Sequence, residues 1–199
     1  MKLLAGKTVL ITGGSDGIGS AIATACAGQG ANLVLVGRGR QKLSKKENDL
    51  LPYGIDVISI SIDLYSNGAV HEVAGKIADD RRRIDILVNN AGIGRFIPFS
   101  DFDQDVLDLH LNLNVRVPYL LTRALLNDLI EAHGNVINIF IKQGDVHLSS
   151  AWESARSYKK LNTLPDITRP QVRSVFRIDP KTIKKERYQH ENPDHRGQH

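Results

Sequence analysis

The sequence predicts an α/β fold with a doubly wound parallel sheet that is incomplete at its C-terminal side. Three observations predict it. From Lys7 to Ile141, short apolar runs alternate with helix-like stretches. A glycine-rich turn, Thr12-Gly13-Gly14-Ser15-Asp16-Gly17-Ile18-Gly19, joins the first run to the first helix. Beyond Gly144 the alternation stops. Near-continuous apolar strands separated by helices mean a parallel sheet covered on both faces, and right-handed crossovers then wind it in two directions.

The elements follow in order. Thr8 to Ile11 is the first strand, and Ser20 to Ala27 continues the helix that the glycine turn opens. Asn32 to Val36 is the second strand. Gln41 to Leu51 is polar with leucines at 43, 50 and 51, a helix that stops before Pro52. Asp56 to Ile60 is the third strand, and apolar residues at 69, 70, 73, 74, 77 and 78 mark a helical stripe. Ile84 to Val88 is the fourth strand. Gln104 to Ala132 is one long helical region, interrupted near Asn112–Asn114 and Pro118, and Asn135 to Ile141 is the fifth strand. The division expected is a Rossmann-like dinucleotide-binding domain over residues 1–141 and an irregular, basic, partly disordered tail over 142–199. Residues 172–178 are the one weak candidate for a sixth strand.

With 199 residues, 41% hydrophobic and 24% charged, the chain has enough material for one sizeable core. No apolar run reaches the ~20 residues that span a bilayer, and the stretch before the first strand is too short for a signal peptide. The single cysteine, Cys26, has no internal disulfide partner and reads as a small core residue. A cytoplasmic protein without a metal site is expected. The net charge of +4 comes from the tail, because lysine plus arginine nearly balance aspartate plus glutamate up to Ile141. Diffuse basic residues without interleaved aromatics point to a solvated tail rather than a nucleic-acid or other polyanion site.

Strand, glycine turn, helix is an arrangement that binds a pyrophosphate on the backbone N–H groups of the helix start. Gly13 is read as the turn, Gly17 as the close approach to phosphate, and Gly19 as tight packing of helix on strand. The spacing G-x-x-x-G-x-G differs from the usual G-x-G-x-x-G. Four further elements stand in order: Gly37-Arg38, Asp63-Leu64, Asn89-Asn90-Ala91-Gly92 and Asn114. With these five, the chain over residues 4–140 resembles the short-chain dehydrogenase/reductase family.

The resemblance implies a dinucleotide held by Gly13, Ser15, Asp16, Gly17, Ile18, Gly19, Arg38, Asp63, Asn90, Ala91 and Gly92, with Asp63 on the adenine amino group. It implies that Asn114 is the catalytic asparagine, interrupting its helix and holding a water in a proton relay. Gly37 stands where NAD-binding members carry an acid, and Arg38 follows it. A guanidinium grips a 2′-phosphate in bidentate fashion, so NADP(H) is favoured over NAD(H). Asp16 argues the other way, since its negative charge near a phosphate costs affinity.

The departure from the family lies behind the fifth strand. The family's chemistry uses a serine at that strand's end and a tyrosine with a lysine four residues on, one helical turn apart. The lysine lowers the tyrosine pKa so that the phenol can move a proton. Here Phe140 and Ile141 stand at the serine positions. Tyr158 is followed at four residues by Asn162, and Tyr188 by Asn192. The expectation is therefore an NADP(H)-binding relative with weak or no oxidoreductase turnover. The alternatives are an active NADP-dependent oxidoreductase on a small carbonyl or alcohol, its site rebuilt from tail residues such as Ser149, Ser150, Tyr158 and Lys159, and a non-enzymatic binding protein whose basic tail contacts a polyanion. The change near Ile141–Gly144 has the look of a frame shift, splice variant or degenerate gene copy, which sequencing the encoding DNA tests. Two structural expectations complete the reading. Leu107, Leu111, Leu121, Leu125 and Leu129 either face the sheet or form a homo-oligomer face on the 101–132 helices. Residues 136–141 form an open apolar edge unless the tail covers it.

Overall fold

The computed structural model describes residues 2–80, 82–94 and 97–139, and the backbone of 174–177. Five parallel strands and one antiparallel strand form a single sheet in the order β3-β2-β1-β4-β5-β6. The strands are β1 Thr8–Thr12, β2 Asn32–Gly37, β3 Val57–Ser61, β4 Ile86–Asn89, β5 Asn135–Asn138 and β6 Ser174–Arg177. The helices are α1 Gly17–Gly28, α2 Arg40–Leu50, α3 Ala69–Asp79, α4 Gln104–Leu111, α5 Val117–Ala124 and α6 Leu126–Glu131. The chain runs outward from β1 through β2 to β3, then crosses back so that β4 lies on the other flank of β1. That reversal is the topological switch point, where an open α/β sheet leaves a crevice at the strands' carboxyl ends.

Alternation along each strand explains the two cores. In β1 and β2, Val9, Ile11, Leu33 and Leu35 pack with Ala23, Ala27, Leu43 and Leu50 of α1 and α2. The intervening Leu10, Val34 and Val36 pack with Val73, Ile77, Leu121, Leu125 and Leu129 on the opposite face. Both faces of these strands are dry, which is why they read as unbroken apolar runs.

The five leucines of the long helical region divide. Leu121, Leu125 and Leu129 face the sheet, whereas Leu107 and Leu111 are 45% and 51% exposed. Val115 and Tyr119, at the next two four-residue steps, extend the exposed stripe. A π-helical turn, Asn112–Arg116, separates α4 from α5, so the interruption falls where the sequence places it.

β6 is a correction to the sequence reading, which finds no convincing sixth strand. It runs antiparallel to β5, pairing Ser174 with Asn138 and Arg177 with Asn135. The weak candidate segment therefore covers the β5 edge over Asn135–Asn138, the case of a tail that covers the edge. The remaining tail residues singled out above, Phe140, Ile141, Ser149, Ser150, Tyr158, Lys159, Asn162, Tyr188 and Asn192, lie outside the described residues.

Candidate functional site

The site is built on a knot between the ends of β1 and β4. Thr12 Oγ1 accepts hydrogen bonds from the backbone N–H groups of Asn90 (3.0 Å) and Ala91 (2.9 Å). In return, Asn90 Nδ2 donates to the carbonyls of Thr12 (2.9 Å) and Gly13 (3.3 Å). Thus Thr12 and Asn90 clamp the glycine turn onto the β4 loop. The sequence reading places Thr12 in the glycine turn but gives it no role, because its partners lie 78 and 79 positions away.

The clamp dictates glycine at two places. Gly13 has φ +67°, and a Cβ there would lie 2.9 Å from Asn90 Nδ2. A Cβ on Gly19 would lie 2.2 Å from the Gly13 carbonyl oxygen and 2.5 Å from Asn90 Nδ2. Gly19 thus makes room for the turn and its clamp, beside the tight packing of α1 on the strand expected of it. Gly17 begins α1 with φ +51°, and no atom lies within 4 Å of its missing side chain. Ser15 and Ile18 flank that open position in the turn and the first helical turn, both half-buried.

Asp16 caps α1, its Oδ1 accepting from Gly17 N at 2.8 Å. Its Oδ2 takes an ion pair from Lys42 Nζ at 2.7 Å, across from the first turn of α2. The Lys42 hydrogen bond, then the Gly17 N–H, then the Lys42 charge hold the Asp16 carboxyl below the usual carboxylate range. The negative charge that the sequence sets against a phosphate is thus already met by a cation. Lys42 is the second residue the sequence reading misses, since nothing in its local pattern pairs it with position 16.

Beyond β2, Arg38 is exposed and makes no ion pair among the described residues. Its carbonyl is fixed by Ser61 Oγ at 3.2 Å. A Cβ on Gly37 would lie 3.3 Å from Ser15 Oγ, so a larger residue there would crowd the glycine turn. Asp63 follows β3, with Oδ1 accepting from Tyr65 N at 3.1 Å in an Asx turn. It is exposed at the carboxyl edge of the sheet.

Asn114 lies in the π-helical turn and reaches the β4 loop. Its Oδ1 accepts from Ile93 N and its Nδ2 donates to Ile93 O, both at 2.9 Å. A Cβ on Gly92 would lie 2.9 Å from Asn114 Oδ1, so Gly92 admits this contact. The side chain is therefore used in holding the loop, and π-helical turns of this kind are frequent at functional sites. Asn89 is deeply buried, donating to Asn138 Oδ1 at 2.9 Å while its own Oδ1 has no partner.

These contacts bring Gly13, Ser15, Asp16, Gly17, Ile18, Gly19, Arg38, Asp63, Asn90, Ala91, Gly92 and Asn114 to the carboxyl ends of β1 to β4. Cys26 stays outside this group, half-buried against the α1–α2 core, with burial pushing its thiol pKa up. Among the described residues no group of His, Cys, Asp and Glu is placed to hold a metal ion, and no helix is long and apolar enough to cross a membrane.

The family model for the short chain dehydrogenases matches residues 7–153. The chain belongs to that family. The match passes beyond Ile141–Gly144, where the sequence reading ends the resemblance. A short chain dehydrogenase of Pseudocercospora fijiensis is 36% identical over 140 residues, covering 68% of this chain and 45% of that protein. The oxidoreductase UcpA of Salmonella typhimurium is 33% identical over 147 residues, covering 73% and 56%. The chain therefore spans about half the length of these curated relatives. Among solved structures, the L-sorbose reductase of Gluconobacter frateurii, complexed with NADPH and L-sorbose, superposes with TM-score 0.66 at 30% identity, covering 69% of this chain and 54% of that one.

Proposed function

We propose that this short-chain dehydrogenase binds NADP(H) at the carboxyl ends of β1 to β4, with weak or no oxidoreductase turnover. The observation that carries the binding reading is the clamped turn. Thr12 and Asn90 fix a glycine backbone at the start of α1, and no side chain fills the space beside Gly17, which leaves room for an anion at a helix N-terminus. The residues fit a dinucleotide: the turn and α1 for the pyrophosphate, Arg38 for a 2′-phosphate, Asp63 for the adenine, and Ala91 and Gly92 for a close backbone approach. When bound, the nicotinamide supplies or accepts the hydride. The NADPH complex of the sorbose reductase supports the choice of cofactor.

Reduced turnover follows from the proton side. Asn114 is present and positions the β4 loop, but neither a serine at positions 140 and 141 nor a Tyr-x-x-x-Lys pair is found in the sequence. Loss of general-acid help alone costs about 10²–10⁴-fold. The second reading, an active oxidoreductase on a small carbonyl or alcohol, is favoured by the activities named for the relatives. Titrating purified protein with NADPH and NADH by fluorescence, then assaying a carbonyl panel, separates the two. Binding without turnover supports the first reading, and oxidation of NADPH above background overturns it in favour of the second. Absence of binding to either nucleotide overturns both.

The exposed stripe Leu107-Leu111-Val115-Tyr119 supports a homo-oligomer through α4 and α5. It borders a hollow of about 570 Å³ lined by Tyr65, Asp108, Leu111, Asn112, Val115 and Arg116. Loss of a larger species in Leu111→Asp/Val115→Asp, read by light scattering, is the expected result.

A further inference from the structure

We propose that Asp16 and Lys42 form a charge couple that sets how strongly the chain prefers a 2′-phosphorylated dinucleotide, with Asp16 holding Lys42 back from the phosphate in the free protein. The inference rests on the dinucleotide reading above and goes beyond it to a pair of residues.

The location follows from the sheet. Gly13 N and Gly14 N both point at the carbonyl of Val36, at 2.7 and 3.4 Å, so the glycine turn lies directly against the end of β2. Were a pyrophosphate held at the start of α1, Gly37, Arg38 and the β2–α2 loop would be the residues next to its ribose. Three charged side chains approach this place from three directions. Arg38 comes from the loop and has no ion-pair partner among the described residues. Lys42 comes from the first turn of α2, and Asp16 from the cap of α1.

The couple is built to exchange. Its 2.7 Å contact joins side chains that are 66% exposed in Lys42 and 72% exposed in Asp16. Ion pairs that open to water are weak, so a doubly charged phosphate competes for the lysine on good terms. Asp16 does not depend on Lys42 for its place, because Gly17 N anchors its other oxygen. When the phosphate takes Lys42, the carboxylate stays fixed nearby and continues to repel it. Asp16 thus limits NADP(H) affinity twice, by occupying Lys42 and by its own field. NAD(H), whose 2′ position carries a neutral hydroxyl, feels neither effect strongly.

The test is dissociation constants for NADPH and NADH on the full chain with Asp16→Asn, Lys42→Gln and the double variant. Asparagine caps a helix about as well as aspartate, so Asp16→Asn removes the charge and keeps the cap. Asp16→Asn is expected to tighten NADPH about fivefold and Lys42→Gln to weaken it about fivefold, as one screened charge nearby implies. The double variant returns close to wild type, and NADH changes less than about twofold throughout. The NADPH effects shrink as salt is raised from 0.05 to about 0.5 M. If wild type binds neither nucleotide, the dinucleotide reading itself fails. If both bind but Asp16→Asn leaves NADPH unchanged or moves both nucleotides equally, the charge couple is overturned while that reading stands.

Discussion

Two helical glycines carry the same substitution in opposite directions. In Gly19→Ala the new Cβ meets the Gly13 carbonyl oxygen at 2.2 Å and Asn90 Nδ2 at 2.5 Å, distances real Cβ atoms essentially never show. The neighbours are turn backbone and the clamp's own amide, so neither yields by a simple rotamer change. The start of α1 and the turn must part by roughly 1 Å, and overpacking of this kind costs about 1–3 kcal/mol. Alanine returns up to about 1 kcal/mol through its better helix propensity. The net loss is about 1–2 kcal/mol, a melting-temperature drop of roughly 2–8 °C for a chain of this size. The shift also drags Asn90 off the Thr12 and Gly13 carbonyls, so NADPH affinity falls with stability. Gly75 in α3 is the control: it has no positive φ and nothing within 4 Å of a Cβ. Gly75→Ala is expected to stabilise by about 0.5–1 kcal/mol with unchanged cofactor affinity. Thermal melts and NADPH titration of both variants decide it. A Gly19→Ala protein that melts and binds like wild type would refute the clamp argument, and a destabilised Gly75→Ala would refute the sign argument.

Four further outcomes are expected. Asn114→Ala strips both backbone groups of Ile93 of their partners, at about 1–3 kcal/mol, and should weaken NADPH binding, read by melts and titration. Asp85→Ala removes the acceptor for Lys7 Nζ (2.8 Å) and for the buried Thr8 N (2.9 Å), costing about 1–3 kcal/mol in urea unfolding with no change in cofactor preference. The Asp16 carboxyl has a lowered pKa in the folded chain, with the Lys42 hydrogen bond the largest cause, so its contribution is present above about pH 4 and is lost as pH falls through the lower folded value. The melting difference between wild type and Asp16→Asn should accordingly vanish in acid. Deleting Ser174–Arg177 uncovers the β5 edge and should raise aggregation in light scattering, with an unchanged time course counting against the capping role.

The parts of the fold legible in the sequence are those whose cause is local. The central strands β1, β2 and β4 are buried on both faces, so each announces itself as an apolar run, while β3 and β5 are partly exposed. The turn and the helix interruption at Asn112–Arg116 are likewise written in neighbouring residues. What escaped is long-range in origin. Leu111 and Leu121 are both leucines in one helical region, and it is the packing of α5 on the sheet that buries one while the other stays exposed. β6 escaped because a four-residue antiparallel strand is stabilised by the edge it meets, not by its own pattern.

The same distinction governs the site. The glycine spacing of the turn is legible because Gly19 must clear the Gly13 carbonyl within the motif itself, whereas the demand that Asn90 makes on both glycines comes from the far side of the sheet. The charge balance of the site is not legible in this way, because Asp16 gains its cation from a residue 26 positions on. Taken alone, Asp16 argues against a phosphate, and taken with Lys42 it becomes one half of an exchangeable pair. If the proposed charge couple holds, cofactor preference is a difference between competing ion pairs of similar strength. A single charge reversal can move such a difference without disturbing the clamp of Thr12 and Asn90 on which the site stands.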